Sequence, residues 1–302
     1  MKKVSFTKLF FFLLLNSSLL FSQQWSFSVV ADPRSGFVDF KRALTEIKKL
    51  TANPEPKIQK SEFVIVTGDF DPAETNFRIF NEVFPPNSDS SSIFLPVIGN
   101  HDLDYTFFIK EKMFDDQKLF NKYDNSSFSY YVDMNNCRVI VVDQYQGTGF
   151  NNGCINEAGI KWVEEKIKSS TAEHVFIAFH EPAFPRYRHV GNSFDACPKE
   201  RDEFWNMLLQ YKNKVRAILV GHTHYYYKMK IRDVKGDATD KDKFPIEEGG
   251  IYQIDAGGAG NSKEGEVTVV QFLIDGDKVL ARVVQSKKGE EIFKEIETIK
   301  IN

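Results

Sequence analysis

Five apolar runs of the sequence finish in residues that can hold a metal ion. They are Asp32 after "WSFSVVA", Asp69 in "VTGDF", Asn100 and His101 in "VIGNHD", His180 in "IAFHEP", and His222 and His224 in "LVGHTH". Alone, each has an ordinary explanation, since an aspartate at a strand end is commonly a turn or capping residue. Together they offer carboxylate and amide oxygens with imidazole nitrogens, a donor set suited to Zn, Mn or Fe. Gly68, Gly99 and Gly221 each stand before a candidate ligand, where backbone must turn sharply or approach closely. No serine or cysteine is placed as a nucleophile, so the chemistry open to this set is metal-assisted.

Spread over nearly two hundred positions, these residues act together only if the fold gathers them. Strand and helix patterns alternate: strand "WSFSVVAD", amphipathic helix "FVDFKRALTEIKKL", strand "EFVIVTGD", helix "AETNFRIFNEVF" and strand "SIFLPVIGN". A polar, aromatic-rich insertion from His101 to Ser129 separates these from strands "SYYVDM" and "CRVIVVD". Helix "EAGIKWVEEKIKSS", strand "HVFIAFH", helix "KERDEFWNMLLQYK" and strand "VRAILVGH" follow, and then only strands: "YYYKMKI", "GIYQIDAG", "EVTVVQFLID" and "KVLARVV". Alternation implies parallel strands covered by helices, an α/β protein in which strand C-termini line one crevice. The strand-rich C-terminal third predicts a second, largely antiparallel sheet packed on the first.

Composition bounds the rest. The chain has 302 residues, 42% apolar and 27% charged, in the ordinary globular range. Lys2, Lys3 and Lys8 with the apolar "LFFFLLL" read as a secretory signal over residues 1–22, too short to span a bilayer, leaving 23–302 as a single domain. Its removal takes away three lysines and no acid, so the mature chain is more negative than the formal −3, with no basic run. That argues against nucleic acid or an anionic membrane as partner. Cys137 opens an apolar strand and reads as a buried free thiol; Cys154 and Cys197 lie in loops and either pair or stay free according to their separation.

The ordered set Asp32, Gly68-Asp69, Gly99-Asn100-His101-Asp102, His180 and Gly221-His222-Thr223-His224 resembles the signature of calcineurin-like metallophosphoesterases. The resemblance implies a four-layer α/β/β/α sandwich of two mixed sheets flanked by helices. It also implies a centre of two divalent or trivalent metal ions (Mn, Zn or Fe) whose bound hydroxide attacks a phosphate ester in line. Carried over by residue, Asp69 bridges the ions, Asn100, His180 and His222 complete one site, Asp32 and His224 belong to the other, and His101 faces the leaving group as acid or stabiliser. The substrate is then a small phosphate ester, most simply a monoester. A diester of a nucleotide or lipid head group, or a non-catalytic binding role on a degenerate scaffold, are the alternatives.

Two departures stand out. The family usually has His two residues after the first Asp; here Arg34 stands there, permanently charged and unable to coordinate a cation. It can contact substrate phosphate, pair with Asp32 or Asp71, or mark a centre that binds fewer metals. The common "GDxxD" is "GDFDPAE", leaving Asp71 or Asp102 to orient His101. In the segment after His180, Arg186, Arg188 and His189 are candidates for binding phosphate. Tyr225, Tyr226 and Tyr227 can stack on a base or sugar or serve as packing, and "DAGGAGN" reads as a close-packed turn near the site.

Overall fold

The computed structural model describes residues 24–51, 60–114, 120–123, 127–146, 153–234 and 250–301. The expected leader at residues 1–22 lies outside them. In chain order the elements are β1 (Trp25–Val30), α1 (Phe37–Thr51), β2 (Ser61–Thr67), α2 (Ala73–Val83) and β3 (Ile93–Val97). The single turn α3 (Thr106–Phe108) and the two-residue β4 (Asn121–Lys122) come next, then β5 (Tyr130–Met134), β6 (Cys137–Val141), α4 (Glu157–Ser169), β7 (His174–Ala178) and α5 (Pro198–Leu209). The chain ends with β8 (Val215–Val220), β9 (Tyr226–Ile231), β10 (Ile251–Ala256), β11 (Glu266–Asp275), β12 (Lys278–Lys287) and β13 (Lys294–Lys300).

These strands form two mixed sheets, ordered β13-β12-β11-β1-β2-β3 and β4-β5-β6-β7-β8-β10-β9. The C-terminal strands therefore do not make a separate antiparallel sheet. β11–β13 extend the first sheet, with β11 antiparallel to β1, while β9 and β10 complete the second. Local alternation identifies a strand but carries no information about which existing edge it joins.

Between the sheets, Phe27 of β1 stacks on Phe63 and Phe272 at 4.8 Å each and meets Phe176 of the second sheet edge-on at 4.9 Å. The first core continues under α1 and α2, and a second core, with Trp162, Val163, Phe204 and Trp205, seals α4 and α5 onto the other sheet. This is the α/β/β/α sandwich. Both cores are built from runs such as "FVIV" and "VFIA", buried on both faces, as strands covered by helices and a second sheet must be. Among the described residues no helix is long and apolar enough to cross a membrane.

Cys137 is a buried free thiol, and burial pushes its pKa up. Cys154 and Cys197 are joined, their Cα atoms 6.2 Å apart. The bond ties the loop before α4 to the start of α5. Replacing both by Ser is expected to lower the free energy of unfolding by about 2 kcal/mol, the low end for a disulfide. The same loop is also held by Gln144, which donates to Gly153 O and Glu181 O, so reduction frees less chain than the loop length suggests. Urea unfolding with and without the pair checks this; an unchanged midpoint would count against it.

Candidate functional site

The five runs end side by side because β1 and β2 are parallel neighbours in one sheet, β7 and β8 in the other, and the two sheets face each other. Among the described residues nine non-glycine residues have left-handed backbone, and seven are Asp32, Arg34, Asp69, Tyr187, His189, His222 and His224. The other two are asparagines, which tolerate it. Asp and His adopt this backbone more readily than most residues, as Asn does, so the strain lies mainly at Arg34 and Tyr187, and strained backbone beside such a cluster is characteristic of a functional site. Gly68 has φ +88°, and a Cβ there would lie 2.1 Å from His180 Nδ1, so only glycine lets that ring in.

His180 is buried and gives its Nδ1 proton to Thr67 O at 2.8 Å, which leaves a lone pair on Nε2. Around that single atom stand Asn100 Oδ1 at 3.3 Å, Asp69 Oδ1 at 3.4 Å and His222 Nδ1 at 3.2 Å. One proton can bridge only one of these pairs; a cation among them would satisfy all four atoms. Next to this group, Asp32, Asp69 and His224 bring ligand atoms within 4.8 Å of one another, all three residues buried. Asp32 Oδ1 lies 3.3 Å from His224 Nε2, and neither it nor His224 Nδ1 has a hydrogen-bond partner. Asp32 Oδ2 accepts from the His222 N–H at 2.9 Å and Asp69 Oδ1 from the His101 N–H at 3.0 Å, so both carboxylates are fixed before any ion binds. These donors fit two cations sharing Asp69.

The electrostatics agree with that reading. Burial opposes charge on His180, yet Asp69 and Asp32 outweigh it and raise its pKa. Burial, then the neighbouring histidines, push His222 down, and burial with Arg188 and His224 pushes His189 down to about 4. His222 and His189 are thus held neutral beside a cluster rich in lone pairs.

The remaining candidates fall around this group. His101 is half-exposed with Nε2 4.0 Å from Asp69 Oδ2, at the open side. Asp102 does not orient it: that carboxylate is buried and accepts the N–H groups of Gly99, Asp69 and Phe70 at 2.8–2.9 Å. Arg34 pairs with Asp71 through Nε at 2.9 Å and leaves Nη1 3.8 Å from Asp69 Oδ2; it does not take Asp32. Burial raises the Asp71 pKa, with Arg34 opposing. His189 stacks on His222 at 4.1 Å, and Arg188 has Nη1 buried without a hydrogen-bond partner. Arg186 gives one hydrogen bond from Nε to Met229 Sδ on β9. Of the six histidines in the chain, five therefore meet here.

Two buried acids were not singled out from sequence. Glu181 accepts from Tyr145 Oη and the Gly153 N–H at 2.9 Å each, bracing the residue next to His180. Asp255 accepts from Thr223 Oγ1 at 2.7 Å, fixing the turn between His222 and His224. An acid closing the run "GIYQID" was the available signal for Asp255, the same pattern that marks Asp32. The "DAGGAGN" turn does pack on the site: Ala259 N–H donates to Ala31 O at 2.7 Å and Asn261 N–H to Asp32 O at 3.2 Å.

The Metallophos family, described as calcineurin-like phosphoesterase, matches residues 26–226. The chain belongs to that family. Among solved structures, this calcineurin-like phosphoesterase is similar to a dimetal phosphatase from Danio rerio at 13% identity, covering 92% of this chain and 99% of that one, with a TM-score of 0.61. It is similar to GAP50, the anchor in the inner membrane complex of Plasmodium, at 14% identity over 92% and 89% of the two chains, TM-score 0.58. PhoD follows at 10% identity over 92% and 72%, TM-score 0.59. At such identities these likenesses establish the shared fold. No curated protein matches the chain.

Proposed function

We propose that this calcineurin-like phosphoesterase is an exported, metal-dependent hydrolase of small phosphate esters, most simply a phosphomonoesterase. The observation that carries the reading is the set of converging lone pairs around His180 Nε2. Asp69, Asn100, His180 and His222 would hold one ion, and Asp32, Asp69 and His224 the other. Bound ions of this kind polarise phosphoryl oxygens and make a water nucleophilic near neutral pH. Arg188, with its buried, unpartnered Nη1, would take a phosphate oxygen, and His189 would stand beside it. His101, at the open side, would give a proton to the departing oxygen or stabilise its charge. Arg34 would add positive charge at the rim while its pairing with Asp71 keeps it off Asp32. The Cys154–Cys197 bond supports an oxidising destination.

A non-catalytic binding role is the second reading, favoured by the arginine in place of the usual histidine and by the anchor GAP50 sharing the fold. It would be strongest if Arg34 occupied Asp32; the free Asp32 Oδ1 argues the other way. Elemental analysis of the purified chain, with hydrolysis of 4-nitrophenyl phosphate and its bis-ester under added Mn or Zn, separates the two. About two ions per chain with monoester turnover are expected. Less than one ion and no turnover with any metal would overturn the enzymatic reading, and a bis-ester preference would shift it to a diesterase.

A further inference from the structure

The loop after His180 carries two adjacent departures from relaxed backbone, Tyr187 at φ +66° and His189 at φ +59°, on either side of Arg188. His189 stacks on His222, and Tyr187 is 64% exposed. Its ring lies 5.5 Å from Tyr225, tilted by 45°, and 6.2 Å from Tyr227, nearly perpendicular.

The backbone of Tyr225 and the side chain of Tyr227 are held in place. Tyr225 directly follows His224, and the hydroxyl of Thr223, itself bonded to Asp255, lies 3.3 Å from the Tyr225 N–H. Tyr227 is buried and donates its hydroxyl to Phe184 O at 3.1 Å. Tyr187 and Tyr225 thus form an aromatic corner one residue from His224 on one side and one residue from Arg188 on the other.

We infer that this corner binds a flat aromatic group attached to the phosphate, so that the chain prefers aryl or nucleoside phosphates to alkyl or sugar phosphates. The inference rests on the phosphoesterase reading and names its substrate class. A ring stacked on tyrosine contributes on the order of a tenfold preference, the low end of base–aromatic stacking.

The test compares kcat/KM for 4-nitrophenyl phosphate against glycerol 3-phosphate, and for adenosine monophosphate against ribose 5-phosphate. It uses the Mn-loaded chain and its Tyr187→Leu, Tyr225→Leu and double variants. Leucine keeps apolar bulk and removes the ring. The expected result is a ratio of about ten or more in at least one pair, reduced at least fivefold in the double variant through KM, and restored by Tyr187→Phe with Tyr225→Phe. Because 4-nitrophenolate is itself the better leaving group, the fall of a ratio in the leucine variants is what counts: a fall only in the first pair assigns the corner to aryl groups, and only in the second to nucleobases. Ratios near one in both pairs, or ratios unmoved by the leucines, overturn the inference. If the chain turns over no ester, the phosphoesterase reading falls, and calorimetric titration with adenosine monophosphate and ribose 5-phosphate decides the corner alone. A tenfold tighter fit of the nucleotide, lost in the double variant, supports it; equal or absent binding overturns it.

Discussion

Asp69→Asn is expected to lower kcat/KM on a phosphate monoester by at least about a thousandfold and to reduce bound metal below about one ion per chain. Ions at such a centre supply several kcal/mol of transition-state stabilisation, and about 4 kcal/mol corresponds to a thousandfold at 1.36 kcal/mol per decade. Asp69 is the one carboxylate that belongs to both ligand groups, with Oδ1 facing His180 and the same residue within reach of Asp32 and His224. The amide keeps size and shape, and its oxygen can still accept from the His101 N–H, so the strand-end turn is retained. Loss of the site can be told from loss of the fold by thermal unfolding without metal. Burial first, and then repulsion from Asp69, push the Asp102 pKa well above its usual range. Removing one of the two charges should leave the metal-free variant at least as stable as the parent. Turnover within tenfold of the parent would show that Asp69 does not hold the ions.

The convergence of the candidate ligands was legible in the sequence because each ends an apolar run that reads as a buried strand, and parallel strands deliver their C-termini to one edge. Asp32, Asp69, Asn100, His180, His222 and His224 all follow that rule, and the structure brings them together. Arg186 and Arg188 show where it stops. Two residues apart in an irregular loop, they look equivalent in sequence, yet Arg186 bonds Met229 while the charge of Arg188 acts on His189 and His222. Between and beside them the backbone is left-handed at Tyr187, a residue type that rarely adopts it, and at His189. Sheet membership was hidden for a related reason: β11 joins β1 across more than two hundred residues, and nothing local to "EVTVVQFLID" names its partner. With the second Asp of "GDxxD" missing, the sequence leaves Asp71 or Asp102 to orient His101, and it does not show that Asp102 faces away from the opening. The peptide turn points them to opposite sides, His101 to the opening and Asp102 to the backbone beneath.

That placement makes Asp102→Ala the substitution most damaging to both stability and activity outside the ligands. The Asp102 carboxylate accepts three backbone N–H groups: Gly99 at 2.8 Å and Asp69 at 2.9 Å on Oδ2, and Phe70 at 2.9 Å on Oδ1. Burial and the charge of Asp69 push its pKa up while these donors pull the other way, so the carboxylate is held where it is by the amides it serves. Alanine leaves three buried donors without an acceptor. At roughly 1–3 kcal/mol each, and not fully additive, the expected destabilisation is about 3–5 kcal/mol. Two of these bonds, from the N–H groups of Asp69 and Phe70, hold Asp69 in left-handed backbone at φ +52°. Asp69 should therefore lose its aim even in molecules that stay folded, with metal affinity or kcat/KM falling a further 10–100-fold, as for other residues that position a ligand. Asp102→Asn separates the two effects, because one oxygen can still accept from the Gly99 and Asp69 amides while the new N–H₂ faces Phe70. It should fold more stably than the alanine variant and recover most of the activity. Urea unfolding and metal titration of the three proteins check the order parent, Asn, Ala in both measurements. An alanine variant as stable and as active as the parent would mean that the turn beneath Asp69 is held by something else.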